Sequence, residues 1–182
     1  MKNHLLFTVF GGLLLFFWQF FSYAASGMHD QSQAYTEKQD TILAFFKAID
    51  LQPGRYLMPR PPEEATPEEG EALVTSFVGK PWALVDYKPE FKDNMGKNMA
   101  RGLSVDLVIA FLLFLVLSRL QSPSTGMLIG ISTALGWMGF LTETYTNFIW
   151  YAEPGILASF IDSILPWAAL GWLASRFLKA GQ

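Results

Sequence analysis

Four carboxylates sit in or beside long apolar runs of this chain, and they are the residues best placed to do chemistry. Asp106 follows "RGLSV", Glu143 lies in "TETYTN", and Glu153 and Asp162 lie within "NFIWYAEPGILASFIDSILPW". An acid close to lipid is costly, so it is held by a partner, by a proton, or at the water's edge. Asp162 has the strongest claim, because Pro166 four residues on cannot donate a backbone hydrogen bond to the Asp162 carbonyl. A carboxyl and a freed carbonyl together could hold a cation, a water or a proton, as broken helices of transporters do. The competing reading is a protonated Asp162 that bonds Ser159 or a neighbouring helix and fixes packing. Asp106, with Ser104 just before it, reads as the cap of a helix start. Glu143 reads as an interfacial residue and Glu153 as a solvated turn residue. The candidate proton or cation site is thus Asp162, with Asp106 and Glu143 as its companions.

Other chemistry finds little support. There is no Cys, and His4 and His29 are the two His residues, which excludes thiolate catalysis, disulfides and every Cys-based zinc or iron–sulfur site. HExxH, GxSxG, a phosphate-cradling Gly loop and metal-ligand spacing are all missing from the sequence. No catalytic residue, cofactor or metal is therefore expected, and a non-enzymatic role is. His29 could pair with an acid at a surface, although a lone loop His is commonly just solvated. Sixteen acids against thirteen bases, with no basic cluster, disfavour nucleic acid as a partner.

The elements that would position the acids are long apolar helices. Hydrophobic residues make up 51% of the 182 residues and are concentrated in a few blocks, the signature of a membrane protein. The first block, Leu5 to Ala25, is long enough to span about 30 Å as a helix. A cleaved signal peptide is the rival, since Ser22 and Ala24 fit a small-x-small cleavage pattern. Trp18 and Tyr23 read instead as interfacial anchors of a retained helix. Further spans are expected at about residues 103–120, 126–147 and 156–178. The fold class is then mainly α: a four-helix transmembrane bundle with a small α+β insert between the first two helices.

The insert, residues 26–102, is polar and charged. "DTILAFFKAIDL" puts Ile42, Phe45, Phe46 and Ile49 on one helical face, and "QPG" ends that helix. "RYLMP" and "PWALVDYKP" suit short strands. Between them the Pro-rich acidic tract, residues 59–71, reads as a surface loop. In the spans, Gly126, Gly130 and Ala134 fall four apart, as do Ser159 and Ser163 and then Gly171 and Ser175, and both stripes read as helix-facing surfaces.

Lys2, Arg119, Arg176 and Lys179 fall on one side of a four-crossing chain, which puts both termini in the cytoplasm and the insert outside. Lys92, Lys97 and Arg101 oppose this, but charges on a long segment weigh little in that rule. Asp106, Glu143 and Asp162 then share one leaflet, with Asp162 the deepest.

Gly11, Gly12, Trp18, Ser22 and His29, then Gly54, Tyr56 and Pro59, and finally Trp150, Pro154 and Asp162 form short motifs along nearly the whole chain. By these motifs it resembles a set of small bacterial inner-membrane proteins. The resemblance implies four helices with an extracytoplasmic insert, and it implies no activity and no functional residue. The role expected is an accessory or scaffold protein of the inner membrane. Its partners would be the lipid bilayer and another envelope protein or a second copy. A proton or cation site centred on Asp162 is the alternative.

Overall fold

The computed structural model describes residues 2–30, 34–145 and 155–179; Trp150, Glu153 and Pro154 lie outside them. The chain is mainly helical and forms two compact units, Met1–Ala34 with Asn94–Gln182, and Tyr35–Asp93. Among the described residues four helices are long and apolar enough to cross a membrane.

In the first unit α1 (Lys2–Phe20) runs into a π-helical turn, Phe21–Ala25. The others are α4 (Met95–Leu117), α5 (Thr125–Gly139) with a second π-helical turn at Phe140–Tyr145, and α6 (Ile156–Lys179). Helix α1 packs on α4 and α6, and α5 packs on α6. The core is Phe7, Leu15, Ala110, Leu113, Phe114, Leu117, Leu128, Leu170 and Ala174. The start of α1 meets the far ends of its neighbours, with the His4 ring stacked on Phe111 at 4.6 Å and Asn3 donating to the Phe177 carbonyl at 2.9 Å. Helix α1 is therefore antiparallel to both α4 and α6.

Two expectations are corrected here. Helix α4 begins at Met95, well ahead of residue 103, because polar Lys97, Asn98 and Arg101 satisfy a helical backbone as well as apolar residues do. Asp106 is then about 16 Å along the helix, and the cap reading fails; the Ser104 hydroxyl donates instead to the Ala100 carbonyl. The stripe Gly126, Gly130 and Ala134 is exposed. The face of α5 that is buried carries Leu128, Ser132 and Gly136, two residues out of phase, and Phe140 of the π-helical turn continues it. On α6, Ser163, Gly171 and Ser175 are buried as their spacing implies.

The second unit holds α2 (Gln39–Ala48), β1 (Gly54–Met58), α3 (Pro67–Phe77) and β2 (Ala83–Tyr87). The strands pair antiparallel, Gly54 with Tyr87 through Met58 with Ala83. Helix α3 takes over the end of the acidic tract expected to be loop. The sequence Thr66-Pro67-Glu68-Glu69 is a capping box with Pro in the first turn: the Thr66 amide donates to Glu69 Oε2 at 2.9 Å, and the Glu69 amide donates to Thr66 Oγ1 at 3.3 Å.

The Thr66 amide, and after it the Thr66 hydroxyl, hold the Glu69 carboxyl below its ordinary value. A group depressed in the folded state stabilises fully above its unfolded pKa, and that contribution is lost as pH falls through the folded pKa. Acidification should therefore unwind the first turn of α3, read in the backbone NMR shifts of Glu68 to Gly70. Glu69→Gln should remove the pH dependence; shifts that track pH equally in both proteins would refute the assignment.

Candidate functional site

The end of α1 and the π-helical turn after it carry the groups that receive buried Asp106 and partly buried Asp162. Trp18 and Ser22 are four residues apart and share a face toward α6, while Gln19 turns toward α4. The Trp18 indole N–H donates to Asp162 Oδ1 at 2.9 Å. Ser22 Oγ lies 2.8 Å from Oδ1 and 2.9 Å from Oδ2, and donates to one of them. On the other side, Gln19 Nε2 donates to Asp106 Oδ1 at 2.9 Å.

A third donor reaches Asp162 because the chain folds back. The π-helical turn closes with the Ser26 amide on the Phe21 carbonyl at 2.9 Å. The Ser26 hydroxyl donates to the Ser22 carbonyl at 2.7 Å and accepts from the Met28 amide at 3.1 Å. Gly27, at φ +69°, supplies the left-handed step that a side chain would resist. His29 consequently returns over Ser22, its Nε2 at 2.9 Å from Asp162 Oδ2 and 3.2 Å from Ser22 Oγ. With Asp162 ionised, that nitrogen carries the hydrogen. The Tyr23 ring stacks on the imidazole at 3.8 Å and 8°. His29 and Ser22 are buried, and the Asp162 side chain is 21% exposed.

This geometry decides between chemistries. A nucleophilic Ser–His–Asp relay needs Ser and Asp on opposite ring nitrogens. Here both meet Nε2, so no proton can pass from Ser22 through the ring to Asp162. A cation on Asp162 would have to displace a donor, since the indole N–H offers no lone pair. Among the described residues no group of three or more His, Cys, Asp or Glu is placed to hold a metal ion. What the cluster does well is join the end of α1, the following segment and α6 through one carboxylate.

Asp106 is different. It is fully buried, and its Oδ2 has no hydrogen-bond partner among the described residues. Glu143 stands exposed on the π-helical turn after α5. The end of α1 thus gathers Asp162 and Asp106, while Glu143 is carried by another helix. Of the two partners expected for Asp162, Ser159 or a neighbouring helix, the structure gives the second, Trp18 and Ser22 at the end of α1, and adds His29.

From sequence alone Trp18 and Tyr23 read as interfacial anchors, Ser22 as part of a cleavage pattern, and His29 as a loop residue either solvated or paired with an acid; the structure gives the pairing. Gln19 carries no signal by itself. The legible clue is that Trp18, Gln19 and Ser22 are hydrogen-bonding residues clustered within one and a half turns of an otherwise apolar helix, two of them at i, i+4. No protein-family model, no curated protein and no solved structure matches this chain.

Proposed function

We propose that the four apolar helices cross a bacterial cytoplasmic membrane as a bundle, and that the protein is an accessory or scaffold whose insert contacts another envelope protein. One observation carries this reading: in Tyr35–Asp93 a single residue, Tyr87, is buried. A domain of about 60 residues that folds alone buries roughly 60% of its extended surface. A unit with one buried residue gains its missing burial from something outside itself. Affinity isolation of the full chain from gently solubilised membranes tests this. A stoichiometric envelope protein is the expected result; an isolated chain with no companion overturns it.

The positive-inside count supports both termini in the cytoplasm and residues 26–102 outside. Reporter fusions after Lys179 and within "QSPST" should behave as cytoplasmic, and one within the Glu63–Glu71 stretch as external. An acidic tract that reports as cytoplasmic would end the link to envelope partners.

A second reading, a proton or cation site, is favoured by the unpaired Oδ2 of buried Asp106. An ion bound there or at Asp162 stabilises the native state. The melting temperature in detergent should then rise with Na⁺, K⁺, Ca²⁺ or Mg²⁺ in the parent and not in Asp106→Asn or Asp162→Asn. A parent indifferent to all four cations and to pH removes this reading.

A further inference from the structure

Helix α2, like α3, is an element of the insert with no buried residue. It has ten residues, none of them buried, and an isolated helix that short is marginal in water. One aromatic contact ties it to the sheet, Phe46 edge-on to Tyr87 at 5.5 Å. Beside Phe46, Ile42, Phe45 and Ile49 continue the same face and are 42%, 59% and 52% exposed. That is the i, i+3, i+7 anchor pattern of a helix laid into a groove.

Three occupants could cover such a face, and charge separates them. Residues 35–93 carry eleven Asp and Glu against seven Lys and Arg, five of the acids within Glu63–Glu71. Helices that lie on a membrane surface are rich in Lys and Arg on the polar face. Helix α2 has one base, Lys47. A second copy brings the same excess of negative charge and meets it with repulsion.

We propose that α2 docks in an apolar groove of a different protein, one whose rim is edged with Lys and Arg that face the acidic tract. The proposal rests on the accessory reading above and adds the surface and the chemistry of the partner. Apolar anchors supply the affinity, while the acidic tract steers the approach and selects the partner.

The test is photo-crosslinking of the full chain in intact membranes, with a benzophenone amino acid in turn at Ile42, Phe45, Asp40 and Lys47. Asp40 and Lys47 lie on the opposite side of the helix from Ile42. The expected result is one protein adduct from Ile42 and Phe45 alone, weakened by added salt, and with a Lys- and Arg-rich contact segment on mass spectrometry. Phe45→Ser should weaken isolation of that protein about tenfold or more without moving the melting temperature of the helical unit. Adducts with lipid, an adduct of twice the chain's own mass, equal adducts from all four positions, or none at all would overturn the proposal. If isolation of the full chain still yields a stoichiometric partner in those cases, the accessory reading stands and docking through α2 falls. If it yields none, both fall.

Discussion

Asp162→Ala should destabilise the protein by about 1–3 kcal/mol, the usual cost of leaving a buried hydrogen-bond donor without its acceptor. The carboxylate is the common acceptor of Trp18, Ser22 and His29. Its loss leaves three donors facing one another, two of them on buried residues. It also frees the segment after α1 from α6, so the loss should show both as a lower melting temperature in detergent and as faster proteolysis near His29. Asp162→Asn should cost less. The amide oxygen can still accept from Trp18, and the amide NH₂ can face His29 once the ring places its hydrogen on Nδ1. An Ala variant that melts with the parent would show that the cluster contributes nothing to stability and would leave its burial without a structural purpose.

Gly171→Ala should lower stability by about 1–3 kcal/mol or more, whereas Gly130→Ala should leave it unchanged or raise it. A Cβ on Gly171 would lie 2.6 Å from both Ile129 Cα and the Leu128 carbonyl oxygen of α5. These are backbone atoms and cannot rotate away, so the two helices must separate. Gly136, on the opposing helix, meets the Trp167 ring and the Ser163 carbonyl in the same way. At Gly130 an added Cβ would meet nothing within 4 Å, and Ala gains up to about 1 kcal/mol of helix propensity over Gly. Equal melting temperatures for the two variants would contradict the α5–α6 contact; a loss at Gly130 alone would restore the stripe that its spacing first suggests.

These contrasts mark what can be read from residues in order. Helix length and apolarity are local properties, and so the long helices, the short strands around Tyr56 and Val85 and the helix over Ile42 to Phe46 are legible without a fold. A start hidden in polar residues is less legible, because α4 extends past its apolar block to Met95. The capping box at Thr66 and Glu69 was written in the sequence, but the Pro and Glu around it give the same composition as a solvated loop.

By itself the sequence determined that long apolar helices flank a polar insert, that Cys-based chemistry is impossible, and that Asp162 needs compensation. Tertiary structure decided what provides it. Trp18 and Ser22 are 144 and 140 residues from Asp162 in the chain, and His29 is 133 away. Hydrogen bonds of that separation exist only once α1 lies antiparallel beside α6 and Gly27 turns the chain back. The same packing decided the phase of α5, since spacing of small residues says that a smooth stripe exists but not which stripe a neighbour covers. Periodicity is a property of one helix, whereas burial and the partner of a carboxyl group are properties of two.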